Sequence, residues 1–299
     1  MRTFALAAFR RCSRGVRFIT FSNRRVRTRT HGGVAGVGGR PPPLCRFKSL
    51  RTRGAVSELL ESSIPVAAPF DAIATTYDDA FSNSSTGRVQ RRLVWIETDR
   101  IFRAGQRILE INCGTGIDAL HLASRGIEVI ACDSAPGMIA VAQHRLKTSP
   151  IRTAVDFRCL PTEQIALLEK GGPYDGILSN FAGLNCLSDL NSAARDLARL
   201  LRPGGKAILC FFGRLCLWEI CSYLAGRDFR KAFRRFHRKG VVATLAPGST
   251  VVVHYPSVPS LRRLFSPHFR LESWRGVGGP AGEQKNSGSR RPVGPTLNS

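Results

Sequence analysis

Between residues 83 and 212 short apolar runs alternate with stretches whose apolar positions fall three and four apart. Val89, Leu93, Ile96 and Ile101 share such a spacing and predict an amphipathic helix over Gly87–Phe102. Gln106–Ile111 (QRILEI) predicts a strand, followed by a glycine turn and a helix ending near Ser124. The alternation continues with a strand at Ile127–Asp133, a helix at Pro136–Leu146 with proline in its first turn, and strands at Val155–Leu160 and Tyr174–Ser179. A helix at Asp189–Leu201 is stopped by Arg202–Gly205 (RPGG), and Lys206–Phe212 is the fifth strand. Near-continuous apolar strands separated by helices imply a mostly parallel sheet covered on both faces, a doubly wound α/β domain.

The flanks have a different texture. Residues 1–60 contain the run GGVAGVGGRPPP and carry 14 basic groups against one acid, Glu58. They read as a basic, disordered leader that is dispensable for folding. Its first twenty or so residues are Arg-rich and mildly amphipathic, as in a mitochondrial transit peptide; a solvated basic extension is the competing reading, and it favours the cytoplasm over the mitochondrial matrix. Residues 278–299 read as a disordered tail, which leaves 61–277 as the folded domain.

Charge changes the picture less than its total suggests. The net +24 is concentrated in the leader and in residues 226–270 (ten basic groups against Asp228), while residues 61–225 carry 17 charges of each sign. A nucleic-acid partner is therefore not favoured by composition. No apolar run approaches the roughly 20 residues of a membrane-spanning helix. The nine cysteines form no C-x-x-C pair and read as free thiols, several of them buried in strands, in a reducing compartment. They suggest no metal site.

The candidate chemistry lies in ILEINCGTGIDAL, residues 108–120. A strand runs into Gly114-Thr115-Gly116 and then a helix, so the backbone can pass close to a ligand. Seventeen residues after Gly116 the next strand ends in Asp133, placed to accept both hydroxyls of a ribose, although an acid there also reads as a helix N-cap. The spacing Gly114-x-Gly116-x-x-Ala119 also matches a dinucleotide fingerprint, but Glu110 closes the first strand at the same crevice. An acid there is poor company for a pyrophosphate and good company for a cation. The ligand that fits carries an ammonium, a sulfonium and no phosphate: S-adenosyl-L-methionine.

At these residues the chain resembles the class I S-adenosylmethionine-dependent methyltransferases, in the small-molecule branch that includes quinone-biosynthesis enzymes, from about Phe70 to Val277. The family's first motif, acid-x-Gly-x-Gly-x-Gly, stands here as Glu110-Ile-Asn112-Cys113-Gly114-Thr115-Gly116, with the first glycine replaced. The resemblance implies a Rossmann-like methyltransferase sheet. It implies Asp133 and Ser134 as the second motif, Met138 over the adenine, Glu163 near the adenine amine and Asn180 beside the transfer channel. FDAIATTYDDAF, Phe70–Phe81, is similar to the family's N-terminal lid, with Tyr77 near the cofactor's carboxylate end; Arg88 reads as a surface arginine.

Methyl transfer from a sulfonium needs positioning more than acid–base chemistry. No catalytic residue stands out, and His254 in TVVVHY reads as a bystander. The segment 213–240 is expected to be a helical cap that closes on a small-molecule acceptor, with Phe229, Phe233 and Phe236 inward and the arginines outward; an RNA-docking face is the alternative. Phe269–Val277 predicts a sixth strand, but GGPAGEQKNSG after it cannot form the antiparallel seventh, which is missing or supplied otherwise.

Overall fold

The computed structural model describes residues 16–24, 68–151 and 155–277. The strands are β1 (Val16–Asn23), β2 (Arg107–Ile111), β3 (Glu128–Asp133), β4 (Val155–Cys159), β5 (Tyr174–Ser179), β6 (Leu201–Phe212), β7 (Val241–Ala246), β8 (Ser249–Val253) and β9 (Phe269–Val277). The α-helices are α1 (Ser85–Ile101), α2 (Ile117–Ser124), α3 (Pro136–Thr148), α4 (Leu190–Leu200), α5 (Leu217–Ala225), the single turn α6 (Phe229–Ala232) and α7 (Val258–Phe265). Seven strands form one sheet in the order β4-β3-β2-β5-β6-β1-β9, and β7 pairs with β8 as a separate hairpin. The pairs from β4 through β6 are all parallel.

Alternation along the strands divides the apolar residues between two layers. Ile108, Val129, Phe157, Leu178, Ile208 and Cys210 pack on one face with α1, α2 and α3. Leu109, Ile111, Ile130, Ile177, Leu209 and Phe211 pack on the other with α4, α7 and the 3₁₀ segment Thr162–Gly171. Continuous apolar strands were the sequence signal for this, because both faces are buried. The RPGG turn is absorbed into β6 as an irregularity, where Tyr174 pairs with Leu201 and Gly176 with Lys206.

The chief correction concerns β1. Val16–Asn23 lies inside the segment expected to be a disordered leader, yet it runs antiparallel between β6 and β9, with Ile19 opposite Leu209 and Trp274. It fills the place of the antiparallel strand that has no candidate after Val277. The reason is local: VRFITFS is a β-branched and aromatic run, and Phe18, Ile19, Thr20, Phe21 and Ser22 are all buried. Phe21 stacks on Phe265 with ring centroids 4.7 Å apart. The rest of the expected leader (residues 1–15 and 25–60) and the tail 278–299 lie outside the described residues.

Among the described residues no helix is long and apolar enough to cross a membrane. Of the described cysteines all are free; Cys113, Cys132 and Cys210 are buried as expected, whereas Cys159, placed at the edge strand β4, is exposed.

Candidate functional site

The carboxyl ends of β2, β3 and β5 open on one pocket. The crevice outside the strand ends is what an open parallel sheet offers a ligand. The β2–α2 turn forms its floor. Asn112, Gly114 and Gly116 take φ values of 57°, 54° and 75°, and Gly116 serves as the N-cap of α2. A Cβ on Gly116 would stand 2.6 Å from Phe157 Cζ and 2.8 Å from Ala142 Cβ, so only glycine lets α2 and β4 approach there. A Cβ on Gly114 would meet nothing within 4 Å, because that backbone faces open space in the pocket wall.

Asp133 closes β3 against this turn. Its Oδ2 accepts the Gly114 N–H at 2.8 Å and its Oδ1 accepts the Ala135 N–H at 3.0 Å. Burial raises its pKa, and those amide donors pull it back down. It does not cap α3, whose N-cap is Ala135. The acceptor for that helix end comes from elsewhere: Asp71 Oδ1 accepts the Gly137 N–H at 2.7 Å.

The segment expected as a lid lies over the glycine turn. Asp78 Oδ1 accepts from the Thr115 hydroxyl at 2.8 Å, and Asp78 pairs with Arg145, which also donates to the Thr115 carbonyl at 3.0 Å. Tyr77 lines the pocket, and burial pushes its phenol well above the usual range. Ser134, Met138 and Glu163 also reach the wall, with Thr162 held by the Asn112 amide at 2.9 Å. Cys113, Thr115 and Asn180 line the pocket as expected, whereas Gly116 does not and packs against Phe157 and Ala142 instead.

Glu110 departs from expectation. It does not line the pocket but sits buried behind the turn, 1% exposed, and its Oε2 has no hydrogen-bond partner among the described residues. Desolvation, followed by the nearby Asp118, raises its pKa well above the carboxylate range.

Two charged residues that carry the pocket's far wall were not singled out by sequence reading. Asp118 Oδ2 accepts from the Asn180 amide at 2.9 Å and pairs with Arg91 at 3.0 Å, while Oδ1 accepts from Trp95 Nε1 at 2.7 Å. Arg91 also lies 4.6 Å from the centroid of the Phe181 ring and donates to Ser82 Oγ at 3.2 Å. The apolar period of α1 points to the other face: Val89, Leu93 and Ile96 are exposed, whereas Gln90, Arg91 and Val94 share the buried face, and the exposed Arg88 donates to the Asn83 carbonyl. Phe181 and Ala182, at φ 50° and 64°, turn the chain after β5 along the same wall. Non-glycine residues in that region cost of order 1–3 kcal/mol each, and such strain concentrates at ligand sites.

The outer part of the pocket is apolar: Phe70, Phe181, Leu187, Phe212, Val251 and Val253. The last two come from the β7–β8 hairpin. No residue of 213–240 lines the pocket, so the expected cap closure is corrected. Phe229, Phe233 and Phe236 are 63%, 49% and 44% exposed instead of inward. The physical reason is that this segment buries its charge: Glu219 pairs with Arg234 and Arg235 on its inner side. His254 is absent from the lining too, its N–H bonded to the Asn185 carbonyl at 2.7 Å.

Among the described residues no metal-ligating cluster occurs. Burial pushes the Cys186 thiol up to about 12, so it is no thiolate near neutral pH. The pocket wall thus presents three carboxylates (Asp118, Asp133, Glu163) against one arginine, Arg91, and no neutral base of the histidine kind. Such a wall suits a cationic ligand with hydroxyl groups and repels a phosphate.

Comparison with known proteins gives the following. Residues 108–205 match the model of a methyltransferase domain. The chain is 32% identical over 151 residues to the demethylmenaquinone methyltransferase of Streptomyces griseus, covering 50% of this chain and 61% of that protein. It is 35% identical over 116 residues to the ubiquinone biosynthesis O-methyltransferase of Xanthomonas oryzae, covering 38% of this chain and 46% of that one. Less than two thirds of these curated relatives' length is spanned. Among solved structures it is similar to the YcgJ protein of Bacillus subtilis, with a TM-score of 0.42, 22% identity and coverage of 58% of this chain and 65% of that one. It is also similar to Haemonchus contortus phosphoethanolamine N-methyltransferase 2 in complex with S-adenosyl-L-methionine, with a TM-score of 0.45, 20% identity and coverage of 66% and 41%.

Proposed function

We propose, from the match of residues 108–205 to a methyltransferase domain, that the pocket binds S-adenosyl-L-methionine and that the chain methylates a small apolar acceptor. The observation that carries this reading is Asp133, a carboxylate held by two backbone amides at the lip of the glycine turn, in a pocket otherwise short of positive charge. The residues present fit the cofactor. The open space before Gly114 leaves room for a ligand against the backbone, and the buried Oε2 of Glu110 adds an acid behind it.

In this reading Asp133 accepts the ribose hydroxyls, Ser134 and Met138 border the adenine, Glu163 lies on its amine side, and Tyr77 and Arg91 face the amino-acid end. Asn112, Cys113, Thr115 and Asn180 complete the wall. When bound, the cofactor supplies a methyl already activated by the sulfonium. The protein's own residues contribute orientation and dryness: the lid residues Phe70 and Tyr77 and the hairpin residues Val251 and Val253 exclude water from the reacting centre. Because the thiol and phenol in the wall are held protonated, the acceptor must offer a nucleophile without help from a strong base.

The apolar outer wall suits a ring compound, and the similar proteins are named for demethylmenaquinone and for ubiquinone biosynthesis. A quinone-like ring is therefore the acceptor class of this proposal, and the free thiols suit a reducing, cytoplasmic setting. A non-catalytic cofactor-binding role is what an incomplete sheet would favour; β1 completes the sheet and removes that motive. Calorimetry with S-adenosylhomocysteine tests the reading: Asp133→Ala should lose one or two charge-assisted hydrogen bonds, about 1.5–3 kcal/mol each, or at least about tenfold in affinity. Unchanged affinity in that variant would contradict the assignment.

A further inference from the structure

The insertion after β6 is amphipathic in the inverted sense. Helix α5 turns Glu219 inward, 2% exposed, where it pairs with Arg234 Nε at 2.9 Å and with Arg235. Arg235 is equally buried, donates to the Gly213 carbonyl at 3.1 Å and lies 5.1 Å from the Tyr255 ring centroid. The outer side of the same helix carries Leu217, 72% exposed, and Trp218, 59% exposed. Leu215, Phe229, Phe233 and Phe236 add to the exposed apolar surface of the insertion, and the cross-strand pair Val242 and Val252 exposes two more side chains on the hairpin that follows.

The same segment is strongly basic. Residues 213–240 hold eight Lys and Arg against two acids. Both acids are engaged: Glu219 is buried, and Asp228 caps α6 and pairs with Lys231 at 2.7 Å. Arg227, Arg230, Lys231, Arg238 and Lys239 are exposed on the same segment as these apolar side chains.

We propose that this face docks on an anionic lipid bilayer, with Leu217, Trp218 and the exposed phenylalanines entering the interface and the exposed Lys and Arg meeting lipid headgroups. Exposed leucine, tryptophan and phenylalanine on one segment with exposed Lys and Arg is the composition of an interfacial membrane surface. The aliphatic members argue against RNA, since Leu215, Leu217, Val242 and Val252 offer no stacking platform for bases. Burial of the Glu219 pairs inside the insertion fixes which side faces out, so the exposed apolar side is built into the fold. The docking does not depend on the methyl-transfer reading. It would bring a bilayer-dissolved acceptor to the β7–β8 hairpin, whose Val251 and Val253 line the pocket while Val252 between them faces outward.

Flotation of the full chain with vesicles tests this. Partition onto phosphatidylcholine mixed with phosphatidylglycerol should exceed that onto phosphatidylcholine alone by at least about tenfold and fall as salt is raised. Leu217→Ser with Trp218→Ser, and separately Phe229→Ser with Phe233→Ser, should each remove most of the binding while leaving the melting temperature and the affinity for S-adenosylhomocysteine unchanged. Equal partition onto both vesicles, or none onto either, would overturn the proposal. So would anionic binding retained in both serine variants, which would locate it elsewhere in the basic chain, or displacement from vesicles by a mixed RNA pool.

Discussion

Gly114 and Gly116 share a turn and a left-handed backbone but answer to different demands. At Gly116 a methyl would run into Phe157 and Ala142, so Gly116→Ala should cost overpacking of about 1–3 kcal/mol plus the left-handed penalty of about 1–2 kcal/mol, visible as a lower melting temperature. At Gly114 a methyl meets open space in the pocket wall, so Gly114→Ala should cost only the left-handed penalty of about 1–2 kcal/mol, melt above Gly116→Ala and bind S-adenosylhomocysteine poorly. Equal losses of stability in both variants would refute the distinction. Glu110 gives a pH prediction. Its folded pKa is raised by burial, so the native state holds this proton more tightly than the unfolded one; the stability it contributes is full below the unfolded value and is lost as pH rises toward the folded one. Glu110→Gln should therefore melt higher than the wild type near pH 7, by about 2 °C or more for a change of roughly 1 kcal/mol, with the gap closing toward pH 4.5. A constant gap across that range would contradict the assignment. The glycines and Asp133 were legible because a strand, a turn and a helix place them within one local unit. Arg91 and Asp118 were not, because their pairing joins α1 to α2 in the pocket wall, while the apolar period of α1 marks its exposed face.

At the scale of elements, β1 and the helical insertion show where sequence pattern misleads. Composition hides β1: its flanks are Arg-rich, and Leu209 and Trp274, the partners of Ile19, lie 190 and 255 residues away. Only the run VRFITFS carried the signal. Without β1, strand β6 becomes an open edge and β9 loses its one partner in the sheet among the described residues. A chain starting at Ala68 should therefore be insoluble or melt far below the full chain, and Phe21→Ala in the full chain should cost about 3–5 kcal/mol as a core truncation. A soluble chain from Ala68 with an unchanged melting temperature would show that the strand is dispensable, as the leader composition alone suggested. In the insertion, the phenylalanine spacing was legible but its facing was not. The buried Glu219 with Arg234 and Arg235 decides the orientation, and a charge-in arrangement reverses the usual reading of an amphipathic helix.

The whole molecule joins a covered sheet to an acidic pocket at its strand ends, and the alternation of the central strands made that architecture legible. The sequence distinguished two ligands for this crevice by one argument, that Glu110 at the end of β2 rejects a pyrophosphate; Glu110 lies behind the turn, and Asp118, Asp133 and Glu163 in the pocket wall take over that argument. The most direct test is to titrate the full chain with S-adenosylhomocysteine and with NAD side by side and follow the melting temperature, since a ligand bound only by the native state raises it by mass action. The account predicts a saturable rise with S-adenosylhomocysteine that Asp133→Ala abolishes or weakens, and no rise with NAD. A rise with NAD, or none with S-adenosylhomocysteine, would contradict it.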